Sequence, residues 1–207
     1  MKYLRQTPLI GIIRNAETSE LERAVAAALA GGLKTLEITL NRPEAIEQIA
    51  QIKNRYAGEV ELGAGTVLNQ ESAKQAIDAG AEFIVSPAVL PDVIKYCRDH
   101  AIPVFPGALS PTEVLNAYRA GAEMVKVFPI QSLGPAYIRS LKGPFPEIAL
   151  MPTGGVTLES VPHYFKAGAD AVGVGGELFN RDCLARKDWA SIEATARAYV
   201  QAVGECR

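Results

Sequence analysis

One short pattern recurs along the chain and constrains its fold more than any other feature. The segments DAGAEFIVSP (78–87), RAGAEMVKVFP (119–129) and KAGADAVGVGG (166–176) each pass through Ala-Gly-Ala and an acidic residue into an apolar stretch, and LAGGLKTLEITL (29–40) is a looser copy. A glycine at this point fits the left-handed residue that ends many helices. Each copy therefore predicts the end of a helix followed by a β-strand.

Extending this alternation along the chain predicts eight strands separated by segments of helical period. Ser19 with Glu22, and Thr112 with Glu113, indicate two of the helix starts. Eight strand–helix units in 207 residues are typical of an α/β chain that forms a (β/α)8 TIM barrel. The predicted strands lie near 9–13, 34–39, 60–65, 83–86, 103–106, 124–128, 148–152 and 171–175.

An open, doubly wound parallel sheet is the alternative architecture. That fold usually has fewer strands and a glycine-rich nucleotide-binding turn after the first one. Here the first strand leads into RNAETSE (14–20), which has no such turn, and no linker or low-complexity segment divides the chain. The sequence therefore favours one barrel domain over residues 1–207.

The composition and net charge of the chain limit which binding partners and which cellular compartment we expect. The chain is 48% hydrophobic with a net charge of −2, which gives no reason to expect nucleic acid or a membrane surface as partner. Cys97, Cys183 and Cys206 lack metal-like spacing, and their odd number argues against a disulfide framework. The N-terminal segment lacks the apolar run of a signal peptide, and the apolar stretch 24–33 is too short to span a bilayer. We expect a cytoplasmic protein.

A lysine interrupts one of the predicted buried strands. Lys126 lies between Val125 and Val127, with Met124 and Phe128 beyond them. Because strand residues alternate between faces, Met124, Lys126 and Phe128 are predicted to point into the barrel. An ammonium group is costly to bury unless it is paired or loses its proton.

The predicted second strand adds a carboxylate to the same interior. Its apolar residues face the helices, which leaves Thr35, Glu37 and Thr39 pointing inward. Active sites of such barrels lie at the C-terminal ends of the strands. There we expect Glu37 and Lys126 to meet Arg14, Thr66 and Thr153 from three other strands.

Two interpretations of the buried lysine remain open at this point. Glu37 and Lys126 could form a structural ion pair, although such pairs contribute little net stability. Alternatively, desolvation and a neighbouring cation such as Arg14 favour a neutral amine that attacks a ketone and forms a Schiff base. Glu37 would then move protons, as a Schiff-base aldolase requires.

Other enzyme chemistries find less support in the residues. A hydride-transfer enzyme needs a nicotinamide site, which the motifs do not provide. A metal-dependent aldolase or epimerase needs His, Asp or Glu ligands on several strands, whereas the two histidines, His100 and His163, fall in helical or loop segments. We predict neither a metal nor a cofactor.

Two glycine-rich loops follow the last two predicted strands, PTGGVT (152–157) and GVGGEL (173–178). Loops at these positions commonly hold phosphate in such barrels, because glycine lets the backbone approach an anion. Glu177 is an unfavourable neighbour for an anion. A phosphate-binding isomerase or epimerase would share these loops but would not need the inward lysine. The glycines concerned are Gly154, Gly155, Gly175 and Gly176.

The motifs, taken together, resemble a known family. In order between residues 37 and 156 the chain carries EITL, GAGTVL, SPAV, FPGALSPTE, VKVFP, KGPFP and PTGGV. These are similar to the consecutive motifs of the 2-dehydro-3-deoxy-6-phosphogluconate (KDPG) and 6-phosphogalactonate aldolases.

The resemblance implies a class I aldolase that cleaves KDPG to pyruvate and glyceraldehyde 3-phosphate, and a homotrimer. It implies that Lys126 is the Schiff-base residue and that Glu37 is the general acid/base. The remaining residues that match family positions are Thr66 at the pyruvate carboxylate, Pro87 and Phe128 in the pocket wall, and Thr153, Gly154 and Gly155 at the distal sugar and phosphate.

The chain also departs from the family pattern. Asn41 stands where some relatives carry an arginine, and Arg14 is the better substitute than Arg42. A serine often found in the last phosphate loop is replaced by Gly176, followed by Glu177. Thr153 resembles the gluconate-type enzymes, while the galactonate epimer and unphosphorylated 4-hydroxy-2-oxoglutarate (KHG) remain alternative substrates.

Overall fold

The strands and helices alternate along the chain as the recurring pattern predicts. The computed structural model describes residues 1–206, and Arg207, the last residue of the predicted domain, lies outside them. The strands are β1 Leu9–Ile13, β2 Thr35–Thr39, β3 Glu61–Gly65, β4 Phe83–Val85, β5 Val104–Phe105, β6 Gly107–Ala108, β7 Val125–Val127, β8 Leu150–Pro152 and β9 Val172–Val174. The helices are α1 Lys2–Gln6, α2 Thr18–Ala30, α3 Ala45–Arg55, α4 Gln70–Asp78, α5 Pro91–Asp99, α6 Pro111–Ala120, α7 Gly134–Lys142, α8 Val161–Lys166, α9 Arg181–Ala185 and α10 Trp189–Gly204.

All strand pairs are parallel, which confirms the predicted α/β class. One sheet has the order β5-β4-β3-β2-β1-β9 and the other β6-β7-β8. Because proline has no backbone N–H to donate, Pro106 interrupts the predicted fifth strand, and the described residues form nine strands rather than eight. Backbone contacts also connect the two sheets: the N–H of Glu123, just before β7, donates to the Val104 carbonyl of β5 at 3.1 Å, and Thr153, just after β8, bridges Gly173 of β9.

The two faces of the strands bury two separate apolar clusters. Leu36, Ile38, Val125 and Val127 belong to the larger cluster, which packs the strands against the helices. The smaller cluster contains residues from the opposite face of the strands, with Met124 at its edge. The predicted inward and outward faces of β2 and β7 are therefore confirmed. The smaller cluster consists of Leu4, Ile10, Ile12, Phe83, Val85, Phe105, Met151 and Ala171.

The glycines of the recurring pattern adopt the backbone conformation that their position requires. Gly80, Gly121 and Gly168 have φ angles of 102°, 105° and 98°, in the left-handed region where side chains are disfavoured. Gly121 directly follows α6, and Gly80 and Gly168 lie two residues after the ends of α4 and α8, so each turns the chain towards the next strand. The prediction of a helix end at each copy is confirmed.

Helix starts were predicted less accurately, because capping residues lie further upstream. Glu17 caps α2 in a capping box with Glu20, and Ser110 caps α6 in a capping box with Glu113. The starts expected at Ser19 and Thr112 lie one residue after the first helical residues, Thr18 and Pro111, and two residues after the capping residues.

The short helix α1 was not predicted and covers the N-terminal ends of the strands. Leu4 is buried in the smaller apolar cluster, and its backbone N–H donates to Glu61 Oε2 at 2.9 Å. The helix therefore covers part of this end of the sheet, beside a cleft of about 510 Å³ that Leu4, Phe105 and Met124 help to line. Separately, no helix within residues 1–206 is long and apolar enough to cross a bilayer.

Candidate active site

Lys126 occupies the middle of β7 and points away from the helices. Its neighbours Val125 and Val127 anchor the strand in the larger apolar cluster, and the lysine is only 3% exposed. Its Nζ lies over the Phe128 ring, 5.0 Å from the centroid. Within residues 1–206 this nitrogen makes no hydrogen bond or ion pair, so it is available to react with a ligand.

Glu37 lies on β2, fully buried inside the curled sheet. Neither carboxylate oxygen has a hydrogen-bond partner in the described part of the chain. Burial raises the pKa of the Glu37 carboxyl, and the nearby charges of Lys126 and Arg14 oppose part of that rise. A carboxyl that keeps its proton above the usual pH range is suited to general acid/base catalysis.

The structural ion pair considered from the sequence is not formed as a direct hydrogen-bonded contact. Lys126 and Glu37 are close enough for the lysine to lower the pKa of the carboxyl, yet none of the hydrogen bonds of residues 1–206 joins them. Two buried ionisable groups that leave their bonding capacity unused have it available for a ligand.

A glycine on the neighbouring strand gives the Glu37 side chain its space. A Cβ on Gly65 would lie 1.6 Å from Glu37 Oε1, so no larger residue fits there. In the β2–β3 register Gly65 lies opposite Thr39, whereas Glu37 itself lies opposite Gly63. The carboxylate therefore extends from its own position towards the C-terminal end of the sheet.

Three of the predicted residues lie within two residues of the C-terminal end of a strand. Arg14 follows β1, is exposed, and donates from Nη1 to Asn41 Oδ1 at 3.4 Å. Thr66 follows β3 with a φ of 56°, a left-handed conformation that is uncommon for threonine. Pro87 follows β4, is half-buried, and its carbonyl oxygen lies 2.3 Å from where a Cβ of Gly107 would be. All three lie at the same end of the sheet as the Glu37 carboxylate.

A cleft of about 980 Å³ opens beside these strand ends. Its lining brings together seven of the predicted residues from four separate segments. Glu37, Lys126, Thr66 and Pro87 are not part of the lining. The seven are Arg14, Phe128, Thr153, Gly154, Gly155, Gly175 and Gly176.

The two glycine-rich loops form one wall of the cleft. Gly154 and Gly155 have φ angles of 92° and 75°, and a Cβ on Gly154 would lie 3.3 Å from the Phe128 ring. Thr153 is buried beneath them. A Cβ on Gly176, in contrast, would meet nothing within 4 Å, so this backbone faces open space. An anion can approach it closely.

The sequence predicted only some of the charged residues that line the cleft. Arg42 is engaged by Glu17 and Glu44, each at 3.4 Å, which leaves Arg14 better placed than Arg42 to meet an anionic ligand. Arg181, at the start of α9, also lines the cleft and was not predicted. Its only sequence signal was its place after the last strand. Among residues 1–206, no group of three His, Cys, Asp or Glu side chains is arranged to hold a metal ion.

A parallel α/β fold that buries a lysine and a carboxyl near each other is the arrangement that a lysine-dependent aldolase, a carbon–carbon lyase, requires. The model of the KDPG and KHG aldolase family matches residues 1–195. The chain belongs to the KDPG and KHG aldolase family.

Two relatives match nearly the whole chain. The 2-dehydro-3-deoxy-6-phosphogalactonate aldolase of Escherichia coli (strain K12) is 33% identical over 204 residues, covering 98% of this chain and 100% of the relative. The 2-dehydro-3-deoxy-phosphogluconate aldolase of Pseudomonas aeruginosa is 35% identical over 205 residues, covering 98% of this chain and 91% of the relative. The two relatives differ in the sugar acid that their names carry.

Solved structures agree with the fold. A structure described as native KDPGal superposes with a TM-score of 0.92 at 32% identity, covering 100% of this chain and 98% of the other. The KDPG aldolase of Legionella pneumophila, with pyruvate captured as a covalent carbinolamine, superposes with a TM-score of 0.86 at 26% identity, covering 95% of this chain and 96% of the other.

Proposed function

We propose that this chain is a class I aldolase that cleaves KDPG to pyruvate and glyceraldehyde 3-phosphate through a Schiff base on Lys126. The observation that carries the proposal is the pairing of two inward, buried and unbonded groups, the Lys126 amine and the Glu37 carboxyl. A protein that needed them only for stability would leave neither without a hydrogen bond.

The reaction follows from these two groups. The neutral Lys126 amine attacks the C2 ketone, and the resulting carbinolamine loses water to give an iminium ion. Glu37, as carboxylate, takes the C4 hydroxyl proton while the C3–C4 bond breaks and its electron pair passes to the iminium nitrogen. Glyceraldehyde 3-phosphate leaves, the enamine is protonated at C3 by Glu37, and addition of water to C2 releases pyruvate.

The remaining site residues are assigned to binding. Arg14 and Thr66 lie at the strand ends where the pyruvate carboxylate would be held. Pro87 and Phe128 form the walls around the imine. Thr153 faces the distal part of the sugar acid. The four glycines of the cleft wall, Gly154, Gly155, Gly175 and Gly176, would receive the phosphate.

The fold proposed for this function is one closed (β/α)8 barrel over residues 1–207. Its support is the backbone bonding between the two sheets, at Val104 with Glu123 and at Thr153 with Gly173. With β5 and β6 counted as one strand bent at Pro106, eight parallel strands enclose the smaller apolar cluster. Closure places the C-terminal ends of β2 and β7 around one mouth.

Two other substrates share this chemistry, namely the 6-phosphogalactonate epimer and KHG. The Escherichia coli relative carries the galactonate name, and the exposed Glu177 beside the phosphate loop lowers the expected advantage of a phosphorylated substrate over KHG. Thr153 favours gluconate, because its buried hydroxyl lies in the cleft wall where the hydroxyls of the sugar acid would lie. A phosphate-binding isomerase would have no use for Lys126.

We infer a cytoplasmic homotrimer that binds only small molecules. The three cysteines are unpaired, which fits a reducing compartment. Leu68 and Leu133, in loops at the active-site end, are 57% and 42% exposed and would be covered by neighbouring subunits. Light scattering coupled to size-exclusion chromatography measures the number of subunits directly.

The test is mass spectrometry of the protein after treatment with pyruvate and sodium borohydride, followed by peptide mapping. We expect one stable pyruvate-derived adduct, on Lys126. A folded protein that forms no adduct would exclude the imine mechanism and favour the isomerase. An adduct together with equal turnover of both phosphorylated epimers would retain the mechanism and overturn the gluconate assignment.

A further inference from the structure

Three buried side-chain oxygens lack a hydrogen-bond partner within residues 1–206, and all three belong to β2. They are the two carboxylate oxygens of Glu37 and the hydroxyl oxygen of Thr39. Thr39 is 3% exposed, so bulk water does not replace the missing partner. This hydroxyl takes no part in the reaction steps assigned to Lys126 and Glu37.

Thr35, the third inward-pointing residue of β2, has a buried hydroxyl that does form a hydrogen bond within the protein. Thr35 is equally buried, at 1% exposure, and its hydroxyl donates to Glu61 Oε2 at 3.5 Å. The two threonines therefore differ in one respect: Thr35, at the N-terminal end of the sheet, has a protein partner, and Thr39, at the mouth, has none.

The strand register brings the unbonded oxygens of Glu37 and Thr39 close together. Thr39 pairs with Gly65, and Glu37 Oε1 lies 1.6 Å from where the Cβ of Gly65 would be. Adjacent strands are about 4.8 Å apart. The Glu37 carboxylate thus occupies the side-chain position opposite Thr39, about one strand spacing from it, and an oxygen atom of a ligand bound between the two would contact both.

A buried hydroxyl without a partner is unfavourable, because it loses its bonds to water and gains none. Valine has nearly the same shape as threonine and would remove this cost. A threonine at this position is explained if a small oxygen-bearing ligand supplies the missing bond during the reaction.

We propose that Thr39 is a positioning residue that binds, together with Glu37, the oxygen atom that leaves and re-enters at C2 of the substrate. The inference rests on the proposed Schiff-base function. When the carbinolamine collapses, the C2–O bond breaks, Glu37 gives its proton to the departing hydroxyl, and the nitrogen lone pair forms the C=N bond. The Thr39 hydroxyl holds the water formed, and holds it again when it attacks C2 during hydrolysis.

The test compares Thr39→Val with Thr35→Val in the full-length protein. The readout is the exchange of the ¹⁸O-labelled C2 oxygen of pyruvate with solvent, corrected for the spontaneous rate, because this exchange proceeds through the step assigned to Thr39. We expect about a tenfold slower exchange in Thr39→Val, the effect of one lost hydrogen bond, and a rate near the unmodified one in Thr39→Ser. Thr35→Val should exchange at the unmodified rate.

Urea denaturation supplies the second readout. Thr39→Val should be as stable as the unmodified protein or more stable, whereas Thr35→Val should be less stable because it loses a bonded hydroxyl. Unmodified exchange in Thr39→Val, or destabilisation matching that of Thr35→Val, would overturn the inference while leaving the Lys126 adduct intact. A protein that neither exchanges oxygen nor forms the borohydride adduct would overturn the proposed function as well.

Discussion

The carboxylate of Glu37 occupies the space where a side chain at Gly65 would begin. A Cβ at this position would lie 1.6 Å from Oε1 and 2.3 Å from Cδ of the glutamate. Glycine inside a strand weakens the strand and usually marks a close approach. At Gly65 the approaching group is the buried carboxyl itself. The Glu37 side chain on β2 therefore requires a glycine at this position of β3.

Gly65→Ala should therefore displace the carboxylate while the fold persists. We expect kcat for cleavage to fall about 100-fold, the scale associated with a displacement of about 1 Å, and the free energy of unfolding to fall by about 1–3 kcal/mol from overpacking. Turnover and urea denaturation measure the two effects. Gly204→Ala, where a Cβ meets nothing within 4 Å, is the matched control and should change neither. Wild-type turnover in Gly65→Ala would contradict the placement of Glu37.

Glu37→Gln should change how stability depends on pH. Burial raises the pKa of Glu37 above 4.5, its value in the unfolded chain. Below that value the carboxyl is protonated in both states and costs nothing extra. As pH rises from 4.5 towards the folded-state pKa, the wild type loses stability that glutamine retains, by at most about 1.4 kcal/mol per pH unit.

The advantage of Glu37→Gln over the wild type should thus grow with pH above 4.5 and then level off. Urea denaturation of both proteins from pH 4.5 to 8 measures the difference. A difference that does not vary with pH would show that the carboxyl titrates alike in both states. The variant should still bind pyruvate but turn over slowly, since glutamine cannot transfer the proton.

The features that were predicted correctly from the sequence are those that local periodicity determines. Alternation along β2 and β7 identifies the faces of Glu37 and Lys126, because side chains on a strand alternate whatever the strand packs against. Gly121 predicts a helix end because the left-handed conformation that ends the helix depends only on the backbone angles of this one residue. These signals need no knowledge of distant residues.

The features that were missed depend on contacts between distant segments. The five-residue helix α1 is too short to show a periodic pattern in the sequence. Its buried residue, Leu4, packs against residues of strands that lie far along the chain. The alternation of side chains along β2 and β7 predicts that Glu37 and Lys126 both point inward. It does not predict the distance between them. The role proposed for Thr39 depends on the β2–β3 register, and Arg181 lines the cleft together with Arg14 because β9 pairs with β1.

Gly176→Ser should strengthen phosphate binding. A side chain fits at this position without a clash, and a hydroxyl there would add one hydrogen bond to the anion. A bond to a charged group contributes about 1.5–3 kcal/mol, so we expect the inhibition constant of inorganic phosphate to fall about tenfold. Competitive inhibition is measured against KDPG for both proteins. Phosphate that does not inhibit either protein would exclude the loop as an anion site, and the borohydride adduct with pyruvate should be unchanged.

The cysteines should be dispensable for activity. Cys97 is buried, and burial raises the pKa of its thiol to about 11, so no thiolate is available as a nucleophile near neutral pH. Cys183 and Cys206 lie outside the cleft lining. Replacing all three with alanine should preserve kcat and KM and lower the free energy of unfolding by about 1 kcal/mol, from the small cavity at Cys97. A large loss of kcat in a folded triple variant would assign a thiol to the chemistry.

Lys126→Met separates a catalytic lysine from a structural one. Methionine keeps much of the length and apolar character of the side chain and removes an amine that is buried without a hydrogen bond, so stability should be unchanged or higher. Turnover should fall by about three orders of magnitude or more, with no borohydride adduct. Lys142→Met is the matched control: Lys142 binds Asp170 and the Ile148 carbonyl, each at 2.7 Å, so its loss should lower stability and spare the chemistry. If Lys126→Met instead lowered stability as Lys142→Met does and retained its turnover, Lys126 would be a structural residue.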